Sequence, residues 1–139
     1  MTGCASLELQ GYRVMKSRDA ALRAKRFEVA EKARKAEDLI TMTRDFENMA
    51  ADLERQITAE EERTGVKDTV HFSYSTFAKA AALRRDKLLV SVADLKSKLE
   101  AATSAHQAAR EELGALEANE ARDTVRTHGK AERNGVAFG

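Results

Sequence analysis

The sequence predicts an all-α protein, an antiparallel two-helix coiled-coil hairpin with disordered termini. Its 139 residues include 25 alanines, 34% charged residues and no proline, a composition typical of long helices and coiled coils. Two long stretches repeat apolar residues with a heptad period. Between them, "TGVKDTVHFSYSTFAKA" (residues 64–80) holds the only glycine between Tyr12 and Leu113. These observations together favour two helices joined by one turn.

The composition also argues against several classes of protein. The net charge of +1 gives no global attraction to nucleic acid or to a membrane surface. Cys4 is the single cysteine, which excludes a disulfide scaffold and fits a reducing cytosol. No run of about 18 apolar residues, the length that would span a bilayer, is present.

Residues 1–14 show no helical period and contain Gly3 and Gly11. They also lack the basic start and the long apolar stretch of a signal peptide. We expect them to be an unstructured leader, or an upstream extension of a protein that naturally starts at Met15.

The first helix is predicted over residues 17–63, where neither glycine nor proline interrupts the chain. Ser17 is suited to cap its N-terminus, and Asp19 is favourably placed in its first turn. Two heptad rows follow, the first apolar apart from one threonine and the second including two lysines. The first row is Leu22, Val29, Ala36, Thr43, Ala50 and Ile57. The second row is Lys25, Lys32, Leu39, Phe46 and Leu53.

The second helix is predicted over residues 76–122, with Gly114 as its one weak point. Its first heptad row is Ala81, Leu88, Leu95, Ala102, Ala109 and Leu116. Its second row is Arg85, Val92, Leu99, His106 and Leu113. The coiled coil thus covers residues 15–123. The segment 124–139 has three glycines and no apolar period, which predicts a flexible tail.

The turn is predicted over residues 64–75. Gly65 can adopt the left-handed conformation that ends a helix, and Ser75 or Thr76 can cap the next one. We expect three aromatic residues to close this end by packing near Ile57 and Ala81. They are Phe72, Tyr74 and Phe77.

Two equal helices joined by about a dozen residues are expected to be antiparallel. The predicted register pairs residues whose numbers sum to 138, so that Phe46 faces Val92 and Thr43 faces Leu95. Charge supports it independently. Residues 16–35 carry a net charge of +5 and face 104–123 with −3, while 36–63 carry −6 and face 76–103 with +3.

The sequence predicts no catalytic, cofactor or metal site, and therefore no enzyme. His71, His106 and His128 fall in the turn, a heptad row and the tail, and no Cys/His cluster has zinc spacing. The basic stretch "RAKRFEVAEKARK" has three interpretations. The first is a nucleic-acid patch, the second is a surface for a protein partner, and the third is a helix face opposed by the acidic residues of 104–123. We favour the last, since no interleaved aromatics accompany the charges.

Met42, Phe46 and Met49 recur at positions i, i+4 and i+7, which places them on one side of the first helix. Phe46 lies in a heptad row, whereas Met42, Met49, Phe27 and Ile40 lie beside the rows. Two interpretations stay open: a widened seam between the helices, or an exposed apolar strip for another protein.

The segment "MKSRDAALRAKRFEVAEKARKAEDL", which starts at Met15, resembles the opening of the flagellar export proteins of the FliJ family. Its most characteristic run is R-F-x-V-x-E-K-x-R, here Arg26, Phe27, Val29, Glu31, Lys32 and Arg34. The middle segment, "ADLERQITAEEERTGVKDTVHFSYSTFAKAAALRRDKL", resembles the hairpin region of the alphaproteobacterial branch of that family. The resemblance covers about residues 15–123.

The resemblance implies a non-enzymatic, cytoplasmic coiled coil of the flagellar type III export apparatus, peripheral to the inner face of the cell membrane at the basal body. The implied partners are the export ATPase FliI, its regulator FliH, the export gate FlhA and export chaperones. Family logic places both chain termini in the ATPase ring. The candidates for that contact are Lys16, Arg18, Arg23, Lys25, Arg26 and Arg122, and those for the gate are Met42, Phe46, Met49, Phe72, Tyr74 and Phe77.

Two alternatives to this function remain. One is a generic coiled-coil adaptor or chaperone of another secretion system, and the other is a nucleic-acid-binding coiled coil.

Overall fold

The computed structural model describes the backbone of residues 4–136 and the side chains of residues 10–130, 132 and 133. This part of the chain consists of two α-helices, α1 (Cys4–Thr64) and α2 (Thr76–Val136), and contains no strand. Both helices have 61 residues. They pack against each other, which confirms the predicted all-α two-helix hairpin. None of the described helical segments is long and apolar enough to cross a membrane.

The outer ends of both helices differ from the predicted boundaries. α1 begins at Cys4 instead of residue 17, and α2 continues to Val136 instead of ending at residue 122. Residues 4–14, predicted as an unstructured leader, are therefore helical, as are residues 124–136 of the predicted tail. Neither segment contains proline, and a single glycine costs a helix only about 1 kcal/mol, so Gly11 and Gly129 do not stop it. Residues 1–3 and 137–139 lie outside the described part.

The inner ends lie close to their predicted positions. α1 ends at Thr64, and Gly65 follows with a φ of 74°, the left-handed conformation that glycine adopts without steric cost. The Gly65 N–H donates to the Glu61 carbonyl at 2.9 Å. α2 begins at Thr76, and the Ser75 hydroxyl accepts a hydrogen bond from the Ala78 N–H at 3.3 Å. The turn therefore has the two caps that the sequence predicts.

The chain divides into two compact units, each built from part of both helices. The turn unit comprises Arg34–Thr103, and the terminal unit comprises Met1–Ala33 with Ser104–Gly139. In the turn unit, the Glu47 carboxylate pairs with Lys96 at 2.9 Å and Glu54 pairs with Arg85, so that rising numbers on α1 meet falling numbers on α2. In the terminal unit, Arg18 pairs with Asp123 and Lys25 with Glu112, which shows the same antiparallel order.

The predicted heptad rows form the buried seam of both units. Every row position on α1 is buried or half-buried, and on α2 only Leu116 is exposed, at 36%. The basic members of the rows are half-buried. Arg85, for example, donates to the Glu54 and Asp86 carboxylates, and its side chain is 27% exposed. The lysines and arginine in the seam are thereby accommodated without leaving a buried charge unpaired.

Candidate interaction surfaces

An apolar cluster fixes the end of the turn unit. Ile57 of α1 packs with Tyr74 of the turn and with Ala78 and Ala81 of α2, and all four are at most 8% exposed. The Tyr74 hydroxyl donates to the Glu61 carboxylate at 2.9 Å. Burial raises the pKa of Tyr74 above its usual value, and the hydrogen bond to Glu61 raises it further. Tyr74 is thus part of the core, and its ring is covered by the protein itself.

The other two turn aromatics point to solvent. The side chain of Phe72 is 95% exposed and that of Phe77 is 55% exposed, while nearby Val70 is 89% exposed. The prediction that all three aromatics pack near Ile57 and Ala81 is therefore correct for Tyr74 and wrong for Phe72 and Phe77. Instead, the Phe72 ring stacks on His71, with ring centroids 4.7 Å apart. We call Val70, Phe72 and Phe77 the turn surface.

Polar contacts hold the turn surface in place from beneath. The Ser75 hydroxyl donates to the Glu60 carboxylate at 2.8 Å, which Arg63 also contacts. These two contacts, that of Arg63 first, lower the pKa of Glu60 to about 2. The Tyr74 N–H donates to the His71 carbonyl at 3.0 Å. The exposed apolar side chains consequently project from a backbone that is hydrogen-bonded at several points.

A second apolar surface lies along one side of the turn unit. Met49, Leu53 and Leu88 line an open groove of about 430 Å³, together with Asp52, Gln56, Arg84 and Lys87. Met49 is 50% exposed, and Met42, one heptad earlier, is 46% exposed. Phe46 is half-buried in the seam. The structure therefore divides the predicted strip, with Phe46 in the seam and the two methionines about half exposed. We call this surface the methionine groove.

Three of the six predicted ring-binding cations are engaged by carboxylates of α2. Arg18 pairs with Asp123 at 2.6 Å, Arg26 pairs with Glu117 at 3.4 Å, and Lys25 pairs with Glu112 and with Glu28. The hydrogen bond to Glu112, followed by that to Glu28, raises the pKa of Lys25. This pattern agrees with the favoured interpretation of the basic stretch, in which acidic residues of 104–123 oppose it.

The remaining three cations are in different situations. Lys16 lies over the Tyr12 ring, with its Nζ 5.4 Å from the centroid. Arg122 lines a groove of about 430 Å³ in the terminal unit together with Arg18 and Arg126. Arg23 is exposed and has no ion-pair partner among the residues that the structure describes. Of the six, Arg18 and Arg122 line the same groove.

Sequence reasoning missed several exposed residues on these helices. Arg126 was assigned to the flexible tail, yet it lines the same groove as Arg122. Leu83 and Val90, 62% and 72% exposed, lie seven residues apart, opposite the seam of α2. The heptad pattern already indicated that these two residues are exposed, because positions midway between the two seam rows face away from the partner helix. No group of three or more potential metal-ligating side chains occurs within the described residues.

Fold and surfaces together define a two-helix hairpin that presents apolar and charged faces and has a turn held by its own core. Comparisons with protein-family models, with curated proteins and with solved structures found no match for the chain.

Proposed function

We propose that this chain is a non-enzymatic component of the flagellar type III protein export apparatus that binds the export ATPase ring and the membrane export gate. The proposal extends to the partners FliI, FliH, FlhA and export chaperones, and to a cytoplasmic position peripheral to the membrane at the basal body. It rests on the resemblance of residues 15–123 to the FliJ family. The observation that carries it furthest is the antiparallel packing of the two long helices, the fold that the resemblance requires.

The turn surface is the better candidate for the gate contact. Phe72 and Phe77 are exposed, and exposed aromatic residues on a rigid backbone are common anchors of protein interfaces. Tyr74, which the sequence also suggested for this role, supports the turn through Ile57 and Glu61. We therefore assign the gate contact to Phe72 and Phe77.

A partner that binds the basic residues of the terminal unit must compete with ion pairs inside the chain. Arg18, Lys25 and Arg26 already contact carboxylates of α2, so an acidic partner competes with Asp123, Glu112 and Glu117 for them. Arg23 is under no such constraint. We therefore expect Arg23 to carry more of the ring contact than its paired neighbours.

The first experiment measures ATP hydrolysis by the cognate export ATPase during titration with the purified chain. We expect stimulation that saturates and that Arg23→Glu weakens, with unchanged helicity by circular dichroism. Arg26→Glu is a less specific variant, because it also breaks the pair with Glu117. The double variant Arg26→Glu, Glu117→Arg keeps an internal pair while reversing the outward charge, and thereby separates binding from folding. No change in turnover across the full titration would count against the role.

The second experiment measures binding of the chain to the cytoplasmic part of the gate. Phe72→Ala and Phe77→Ala are expected to weaken binding at least tenfold if the turn surface makes this contact. Leu83→Ala removes another exposed apolar side chain, 62% accessible and opposite the seam, and serves as the control. Equal effects of Phe72→Ala and Leu83→Ala would contradict the assignment.

A generic coiled-coil adaptor or chaperone of another secretion system is the second candidate, favoured by the same exposed aromatics if the ATPase does not respond. A nucleic-acid-binding coiled coil is the weaker alternative, since carboxylates partner three of the basic residues. A DNA affinity that falls steeply with salt would favour it.

A further inference from the structure

The methionine groove has walls of opposite charge. Asp52 borders it on α1, whereas Arg84 and Lys87 border it on α2, and Met49, Leu53 and Leu88 form the apolar surface between them. Within the described residues, Arg84 and Lys87 have no ion-pair partner. Asp52 pairs with Arg55 of its own helix and remains 60% exposed. Further along α2, Asp94 and Lys98 pair with each other at 3.0 Å and add no net charge to that wall.

The opposite side of the turn unit is closed by ion pairs between the helices. Glu47 reaches Lys96 at 2.9 Å, and Glu54 reaches Arg85. Met42 and Met49 lie on the other side of the seam. Each comes four residues before a member of the second heptad row, Phe46 or Leu53, and is therefore its neighbour on the surface of α1. One side of the unit thus has two ion pairs across the seam, while the groove side leaves apolar surface and two cations without an ion-pair partner among the described residues.

We propose that the methionine groove is the interface between two copies of this chain. A two-fold axis that runs along the groove turns the second copy over, so that its α1 lies above α2 of the first copy. Rotation about this axis does not shift any residue along the direction of the helices. Asp52 of each copy therefore faces Arg84 and Lys87 of the other copy. Met49 of the two copies meets near the axis.

The charge pattern selects this occupant over a helix of another protein. A surface with one acidic wall and one basic wall is self-complementary under two-fold symmetry, and the same two charge contacts form twice. The resulting contact covers the exposed methionines and builds a four-helix arrangement from two hairpins. This inference is independent of the function proposed above, since it uses neither the turn surface nor the basic residues of the terminal unit.

A charge-swap experiment tests the interface. Asp52→Lys makes both walls basic, and the double variant Arg84→Glu, Lys87→Glu makes both walls acidic. We expect the unaltered chain to show a mass by sedimentation equilibrium of about twice 15.3 kDa at high concentration. Each variant alone is expected to dimerise at least tenfold more weakly, and an equimolar mixture of the two is expected to regain a dimer with one copy of each.

The mixture makes the test independent of folding, because an unfolded variant cannot restore association. Glu62→Lys makes the same kind of charge change at an exposed position of α1 that does not line the methionine groove, and is expected to leave the dimer intact. In a Cys4→Ser background, Met49→Cys is expected to crosslink to itself between copies. Asn48→Cys is not, because Asn48 is exposed at a heptad position opposite the seam. A chain that stays monomeric up to millimolar concentration, or a mixture that fails to associate, would overturn the proposal.

Discussion

Ile57 is the residue whose truncation most directly tests the packing of the turn unit. It is 4% exposed and contacts Tyr74, Ala78 and Ala81, the buried members of the apolar cluster. Ile57→Ala removes three carbons, worth about 0.8 kcal/mol each, and the cavity left behind adds to the loss. The small neighbours Ala78 and Ala81 cannot fill that cavity without movement of the helices. We expect the free energy of unfolding to fall by about 3 kcal/mol.

The assay is urea unfolding followed by circular dichroism, with Ile40→Ala as the matched control on the same helix. Ile40 is 41% exposed, so its truncation is expected to cost only about 1 kcal/mol. Both substitutions change helix propensity by the same amount, which cancels in the comparison. If the two variants lose stability equally, to within about 0.5 kcal/mol, the cluster around Ile57 does not anchor the hairpin.

The remaining predictions concern two glycines and one carboxylate. Gly65→Ala is expected to destabilise the chain by about 1 kcal/mol, because the φ of 74° disfavours a side chain. Gly114→Ala is expected to stabilise the chain by about 0.5–1 kcal/mol, since Gly114 lies inside α2 and an added Cβ would have no neighbour within 4 Å apart from the adjacent residues and the backbone of its own helix. Thermal unfolding of both variants checks that the two changes have opposite signs. Because the folded pKa of Glu60 is lowered to about 2, its contribution to stability is present above pH 4.5 and lost as pH falls toward 2. Urea midpoints across that window should decline less in Glu60→Gln than in an exposed control, Glu100→Gln.

The hairpin could be predicted from the sequence because two independent patterns required it. The heptad rows identified the buried face, including the polar positions Thr43 and Arg85, which the structure indeed covers at least partly. The short connection predicted antiparallel helices and the alternation of charge between opposing segments supported them, in agreement with the Glu47–Lys96 and Arg18–Asp123 pairs. Both patterns repeat along the chain, so that many weak preferences add up to one answer.

Features that depend on a single residue were harder to predict. The outer helix ends were placed too far inward, because isolated glycines such as Gly11 were interpreted as breaks although each costs a helix little. Among the turn aromatics, only Tyr74 has a hydroxyl that reaches Glu61 while its ring enters the core. For Phe72 and Tyr74 the backbone of the turn decides which ring is buried, and heptad periodicity does not extend into it.

Both units have ion pairs between the helices but differ in their apolar packing, and this difference bears on how the chain can bind partners. The turn unit contains the apolar cluster around Ile57, whose free energy does not depend on pairing of charges and is therefore not screened by salt. In the terminal unit, Leu22 and Ala109 are buried, and exposed ion pairs such as Arg26–Glu117 join the helices at roughly 0–1 kcal/mol each. A partner that offers carboxylates can exchange with those pairs at little cost, while the fold of the turn unit is preserved. We therefore expect binding to an acidic partner to involve the terminal unit, and contacts that need a fixed apolar surface to involve the turn unit.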